Sequence, residues 1–296
     1  MGLGELRVKV ERNRLRSFLR EQTDRLVTGL AILATLLVVA PLVAIFVYLV
    51  FKGASSLNVS FFTQNPKPVG ESGGGMANAI AGSGILLGIA SLIGIPVGIG
   101  GGIFLAEFGR GTKLADAVRF TADVLNGVPS IVMGIAIYAL IVVPQGHFSA
   151  FAGGVALGIM MIPTVCRTTE EMLLMVPHAV REAALALGVP NWRSVLSITV
   201  KTASPGIITG CMLAFARVAG ETAPLIFTAL GNTYWSTNLN REIAALPLQI
   251  WIYAQSPYDD WHRLAWAGAL VLIILIVTAV SLVRYVTSRG VLKGAS

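Results

Sequence analysis

Glu182-Ala183-Ala184-Leu185-Ala186-Leu187-Gly188 stands between two long apolar segments of the chain. Its alanines and leucines favour a helix. Gly188 and then Pro190 end that helix, because proline cannot continue the helical hydrogen-bond ladder. Residues 192–202 restart a helical pattern. The sequence therefore predicts a helix, a tight turn and a second helix within residues 176–203.

The composition of the chain is that of a membrane protein. Of its 296 residues, 55% are hydrophobic and 12% are charged, which is about half the charged share of a soluble protein. The net charge is +7, but the basic residues flank apolar runs, so a nucleic-acid partner is not expected. Cys166 and Cys211 lie inside apolar runs, as small packing residues do. The sequence has no G-x-x-x-x-G-K-S/T phosphate-binding motif and no metal-ligand spacing, so no cofactor or metal is expected.

Six apolar runs are each long enough to cross a hydrocarbon core of about 30 Å. They cover residues 26–51, 77–106, 121–143, 151–175, 204–230 and 264–283. We therefore expect an all-α polytopic membrane protein of six transmembrane helices. Its domains would be an N-terminal arm (1–25), a transmembrane domain (26–285) and a tail (286–296). The remaining connections are expected to be a flexible loop (52–75), a charged turn (107–119) and a polar loop (231–262).

The placement of basic residues predicts the orientation of the spans. Seven of the 22 Lys and Arg residues lie in residues 1–25, and three each lie in residues 107–119, in residues 176–203 and in residues 284–296. Only four lie on the opposite side, and two lie within spans. Because basic residues concentrate on the cytosolic side of a membrane, both termini and residues 176–203 are expected there.

A series of small residues in the second predicted span indicates close helix packing. Its glycines recur at four-residue spacing, at Gly84 and Gly88 and again at Gly94, Gly98 and Gly102. Small residues at this spacing let the backbone of another helix approach closely.

Ionisable side chains inside membrane spans are costly unless they are paired or hydrated, which makes them functional candidates. Arg217 and Glu221 are four residues apart and are expected to pair on one face of the fifth span. Arg167 repeats the arrangement with Glu170 and Glu171 in the fourth span. One hypothesis is that these pairs hold helices together. The other is a hydrated path in which Arg217 and Arg167 attract an oxyanion while Glu221 and Glu170 hold the arginines.

The spacing that begins at residue 182 resembles the EAA loop of ABC importer permeases: Glu-Ala-Ala, three residues, Gly, nine residues, Ile. The resemblance implies that this loop docks a short helix on a cytosolic ATPase and couples ATP hydrolysis to the membrane helices. The docking residues would be Glu182, Ala183, Ala184 and Gly188. The alternative is an ordinary amphipathic connecting helix.

Three further stretches narrow the resemblance: residues 126–132 (NGVPSIV), 167–171 (RTTEE) and 215–225 (FARVAGETAPL). They are similar to the A-type permease subunits of bacterial phosphate importers. The resemblance implies the ABC type I importer permease fold, location in the bacterial inner membrane and no enzymatic activity of the chain itself. The implied partners are membrane lipid, a C-type permease forming a heterodimer, two cytosolic ATPase subunits and an extracytoplasmic phosphate-binding protein. Arg217, Glu221 and Arg167 would lie along the phosphate path.

Other function classes fit the sequence less well. A permease for sulfate, molybdate or phosphonate would need the same positive charge along its path. An ion-coupled secondary transporter could use intramembrane Arg and Glu, but inverted repeats are not visible in the sequence. A membrane enzyme is disfavoured, because the sequence brings no nucleophile, metal cluster or acid–base pair to one membrane face.

Overall fold

The computed structural model describes residues 3–71 and 73–293, and side chains within residues 20–71 and 73–287. All secondary-structure elements in these ranges are helices, apart from one isolated β-bridge between Leu230 and Ile243. The all-α fold is therefore confirmed. The chain divides after Phe51 into two compact units.

Thirteen helices follow one another along the described chain. The first seven are α1 (Leu3–Ala54), α2 (Val59–Thr63), α3 (Ala77–Ile103), α4 (Lys113–Gly127), α5 (Ser130–Ile137), α6 (Val143–Gln145) and α7 (Ala150–Leu174). The others are α8 (His178–Ala186), α9 (Asn191–Ser194), α10 (Val200–Ala219), α11 (Ala223–Thr228), α12 (Leu246–Ala254) and α13 (Asp259–Lys293). Three π-helical turns extend or join them: Phe104–Phe108 after α3, Tyr138–Val142 between α5 and α6, and Val195–Thr199 between α9 and α10.

Five continuous helical segments of the described chain are long and apolar enough to cross a membrane. They cover Arg20–Ala54, Ala77–Phe108, Ala150–Leu174, Asn191–Ala219 and Asp259–Thr287. A sixth crossing results if the bent pair α4 and α5 to Gln145 counts as one span. The structure therefore has the six predicted spans if this bent pair is counted as the third span.

The predicted third and fifth spans have the wrong boundaries. Residues 113–119 begin helix α4 and are not a turn, and the chain then bends by 106° between α4 and α5. The bend falls at Val128, which is extended because the following Pro129 disfavours a helical conformation before it. The fifth span begins at Asn191 and not at 204, and its helix ends at Ala219 and not at 230.

Two segments predicted as loops contain ordered, buried helices. In residues 52–75, Asn58 caps α2 by accepting a hydrogen bond from the Phe61 amide at 2.8 Å, and Phe61 is fully buried. In residues 231–262, the start of α12 is buried, and the Leu246 amide donates to Ser83 Oγ at 2.7 Å. Both segments are therefore part of the hydrophobic core and not free connections.

Helices α3 and α7 pack closely at the centre of the second unit, and glycines make this possible. A Cβ atom on Gly98 would lie 2.6 Å from Cβ of Val165, and one on Gly94 would lie 2.7 Å from Cβ of Met161. Gly102 meets α7 in the same way. Gly84 and Gly88 have nothing within 4 Å. The predicted close packing is therefore confirmed for the second half of the glycine series, and the first half faces open space.

The described part of the first unit lies within helix α1, whose exterior is apolar over the predicted first span. The helix continues from the predicted arm into the predicted first span and runs through Pro41. Between residues 26 and 48 every side chain is exposed. An exposed apolar surface of this length is suited to lipid.

Candidate functional site

A charged cluster joins α4 to α7, and its centre is the buried carboxylate of Glu170. Only 5% of the Glu170 side chain is exposed. Its Oε1 accepts a hydrogen bond from Arg119 Nε at 2.7 Å, and its Oε2 accepts one from Arg167 Nη1 at 3.0 Å. A buried carboxylate is stable only when it is paired in this way. The expected Arg167–Glu170 ion pair is thus present, and a second arginine completes it.

Arg167 also binds a second carboxylate. Its Nε donates to Asp123 Oδ1 at 3.0 Å and its Nη2 donates to Asp123 Oδ2 at 2.9 Å, which is a bidentate arrangement. Glu171 is exposed, forms none of the side-chain hydrogen bonds or ion pairs found in the described chain, and lies outside the cluster. The planar fork of Arg167 is therefore occupied by carboxylates in this structure.

Helix periodicity explains how the cluster assembles. Asp116, Arg119 and Asp123 are separated by three and four residues, so they share one face of α4. Arg119 Nη1 donates to Asp116 at 3.2 Å and its Nη2 donates to the Leu105 carbonyl at 3.3 Å. The cluster of Asp116, Arg119, Asp123, Arg167 and Glu170 contains three acids and two bases.

Sequence reasoning missed three members of the cluster. Asp116 and Arg119 were assigned to a turn, and Asp123 was overlooked within an apolar run. The available signal was their spacing together with the charge of Asp123 inside a predicted span.

Arg217 and Glu221 do not form the expected pair. The helix ends at Ala219, so Glu221 lies beyond the helical spacing that would bring the two side chains together. Among the ion pairs of the described chain, none includes either residue. Arg217 is exposed, whereas Glu221 is half-buried beside Leu157 and Leu225. The prediction of an Arg217–Glu221 ion pair is therefore wrong in this structure.

The two arginines lie at different heights along the helix bundle. Gly210 of α10 lies against Thr168 of α7, the residue that follows Arg167. Arg217 is two helical turns further along α10, or about 10 Å from that level at 1.5 Å per residue. The structure therefore places Arg217 apart from the charged cluster and does not join them in one site.

The loop after α7 has the predicted helix–turn–helix form. Gly188 has a φ of 76°, a left-handed conformation that glycine adopts without strain. The Gly188 amide donates to the Leu185 carbonyl at 2.9 Å and the Val189 amide donates to the Ala184 carbonyl at 3.2 Å. This pair of bonds is a Schellman motif, which ends α8 sharply.

The same loop presents apolar side chains on an exposed surface. Glu182, Ala183 and Gly188 are exposed, whereas Ala184 is buried. Helix α8 contacts the π-helical turn Val195–Thr199. Among the exposed large side chains are Leu185, Leu187, Trp192 and Leu196, and Leu187 is 84% exposed. Exposed apolar patches of this kind mark interaction surfaces.

These features define a polytopic helical membrane protein with an exposed helix–turn–helix loop. Residues 98–290 match the family of binding-protein-dependent transport system inner membrane components. The chain belongs to this family of transporter subunits. It is 44% identical over 280 residues to the phosphate transport system permease protein PstA of Yersinia pestis, covering 95% of each chain. It is 48% identical over 230 residues to PstA of Xylella fastidiosa, covering 77% of this chain and 79% of that protein.

Solved structures share the fold at lower identity. The chain superimposes on an inward-facing structure of the MetNI methionine ABC transporter with a TM-score of 0.55 and 20% identity, covering 75% of this chain and 97% of that one. The predicted ABC importer permease fold is therefore confirmed.

Proposed function

We propose that this chain is a transmembrane permease subunit of an ATP-driven importer that moves inorganic phosphate across the bacterial inner membrane. The observation that carries the proposal is the 44% identity to a phosphate permease over 95% of both chains. The structure supports it with a charged cluster between α4 and α7, centred on the buried Glu170, and with an exposed loop of the EAA type.

In this proposal, residues 182–188 form the surface that binds the ATPase. Glu182, Ala183 and Gly188 lie on the exposed part of the loop, and Leu185 and Leu187 supply apolar surface beside them. Ala184 is buried and holds α8 against the rest of the loop. The loop and both termini would lie in the cytosol, where two ATPase subunits would bind.

Arg217 supports the assignment of a second permease. An arginine near the middle of a membrane is costly when it faces lipid, and Arg217 is exposed on this chain. A related C-type permease packed against α10 would cover it and leave a hydrated path between the two subunits. Arg217 and Glu221 would line this path, and Arg167 and Glu170 would lie further toward the loop.

The remaining partners follow from the direction of transport. An extracytoplasmic phosphate-binding protein would deliver the anion to the outer side, and membrane lipid would cover the apolar exterior. Because the guanidinium fork recognises any tetrahedral oxyanion, the selectivity among anions is part of the test.

The test is uptake of labelled phosphate by cells that lack this gene and carry a plasmid copy of it. We expect wild type to restore uptake and excess sulfate, molybdate or phosphonate to leave it unchanged. We expect Arg217→Gln to abolish uptake at a normal amount of protein. The matched control is Arg284→Gln, which removes an exposed arginine near the end of α13.

One result would overturn the proposed substrate, and another the assignment of Arg217. Full competition by another oxyanion would assign a different substrate to the permease. Normal uptake by Arg217→Gln would remove this residue from the path.

A further inference from the structure

Arg181 lies immediately before the EAA-type motif, and its side chain points away from the exposed surface of the loop. Only 14% of it is exposed. Its Nη2 donates to Glu107 Oε1 at 2.7 Å, and the Glu107 side chain is 8% exposed. The two residues are 74 positions apart in the chain. Arg181 and Glu107 therefore form a buried ion pair between α8 and the π-helical turn that extends α3.

The same guanidinium also holds the end of α7. Nη1 donates to the Val176 carbonyl at 2.7 Å, and Nη2 donates to the Leu173 carbonyl at 2.7 Å. Carbonyls at the end of a helix lack partners within the helix, so an arginine fork satisfies them well. Arg181 thus connects α8, on which it lies, to the end of α7 and to the π-helical turn that extends α3.

The two elements that Arg181 holds are the tightly packed pair at the centre of the unit. Helices α3 and α7 approach closely through Gly98 and its neighbours, and such close packing transmits strain. Helix α7 carries Glu170 one turn before Leu173. Arg181 therefore connects α8 to the helix that bears Glu170.

We propose that the Arg181–Glu107 pair, with the carbonyls of Leu173 at the end of α7 and of Val176 just after it, is the joint that transmits movement of the coupling loop to α3 and α7. This inference rests on the proposed function, because it assumes that an ATPase moves α8. Arg181 is then a positioning residue that touches neither the ATPase nor the transported anion. A lysine would not replace it, because a single ammonium lacks the planar fork that reaches a carboxylate and two carbonyls together.

The experiment uses the whole complex, reconstituted in liposomes with its ATPase and binding protein. Labelled phosphate taken up is divided by ATP hydrolysed, which separates coupling from the amount of protein. The variants are Arg181→Lys, which keeps the charge, and Glu107→Gln, which keeps the shape. The matched control is Glu171→Gln, which changes an exposed carboxylate on α7.

We expect Arg181→Lys and Glu107→Gln to assemble with the ATPase and to hydrolyse ATP, while phosphate moved per ATP falls by about fivefold or more. Glu171→Gln should keep the wild-type ratio. A merely structural pair would lower uptake and hydrolysis together and leave their ratio unchanged. A wild-type ratio in both variants at normal assembly would therefore overturn the inference.

A second readout does not depend on the transported anion. Hydrogen exchange is compared with and without ATP and vanadate in residues 166–174 of α7 and 182–188 of the loop. In wild type we expect both segments to respond, and in Arg181→Lys only the loop. If α7 still responds in Arg181→Lys, the joint is wrong even where phosphate import holds. If wild type responds in both segments and Arg181→Lys only in the loop, but wild type takes up no phosphate, the proposed substrate fails and the joint stands.

Discussion

Asp123 accepts two hydrogen bonds from the Arg167 guanidinium, from Nε at 3.0 Å to one carboxylate oxygen and from Nη2 at 2.9 Å to the other. A phosphate bound to the same guanidinium would use the same geometry. Under the proposed function, the Asp123 carboxylate would therefore compete with the transported anion for Arg167. Such competition would keep an anion from remaining bound on its way through the permease.

Asp123→Asn tests this competition. The amide is a weaker partner for Arg167, so we expect an anion to be held longer and the maximal rate of phosphate uptake to fall about tenfold, equivalent to about 1.4 kcal/mol. Uptake at saturating phosphate, corrected for the amount of protein, is the measurement. Asp116→Asn is the matched control, since Asp116 contacts Arg119 and not Arg167. An unchanged maximal rate in Asp123→Asn would show that the two do not compete.

Glu170→Gln is expected to destabilise the folded chain. The change leaves Arg119 and Arg167 without their shared buried carboxylate. We expect the free energy of unfolding to fall by about 3 kcal/mol, the lower end of the range for breaking a buried ion pair. Denaturant unfolding of the purified subunit measures the free energy. The exposed Glu171→Gln should stay within about 0.5 kcal/mol of wild type. Equal stability of the two variants would contradict a structural role for Glu170.

Gly98→Ala should weaken the contact between α3 and α7. Its new methyl group would meet Val165 at 2.6 Å, and overpacking of this kind costs about 1–3 kcal/mol. Gly100→Ala is a control on the same helix, because Gly100 has nothing within 4 Å and alanine favours a helix there. Thermal unfolding compares the two. If Gly98→Ala is as stable as Gly100→Ala, the helices are not held as closely as described.

Gly188→Ala should disturb the coupling loop. A left-handed conformation costs an alanine about 1–2 kcal/mol, whereas asparagine adopts it more readily. We expect less ATPase to copurify with Gly188→Ala than with wild type. Gly188→Asn should retain more ATPase than Gly188→Ala does. Equal copurification in both variants would show that the conformation at this position does not matter for docking.

The sequence predicted which segments contain membrane helices, because such helices require long runs with few charges. It did not predict where they break, because proline is tolerated inside membrane helices when neighbours satisfy the freed carbonyls. Helices α3, α7 and α10 run through Pro96, Pro163 and Pro205, whereas the chain bends by 106° at Pro129. Local sequence does not distinguish these four prolines.

The sequence predicted only those contacts of the candidate site that depend on spacing along one helix. Arg167 and Glu170 are three residues apart, so helix spacing alone brings them together. Arg119 reaches Glu170 across 51 residues, and that contact depends on the packing of α4 against α7. Arg217 and Glu221 show the converse, because their spacing predicted a pair and the end of α10 separates them.

The most direct test of the account is phosphate accumulation by the reconstituted complex under two driving forces. One set of liposomes receives ATP and the phosphate-binding protein, and the other receives a proton or sodium gradient without ATP. We predict that phosphate accumulates in the liposomes that receive ATP and the binding protein, and that Arg217→Gln abolishes this accumulation. No phosphate should accumulate with a proton or sodium gradient in the absence of ATP. Accumulation driven by an ion gradient without ATP would contradict the account and assign the chain to a secondary transporter.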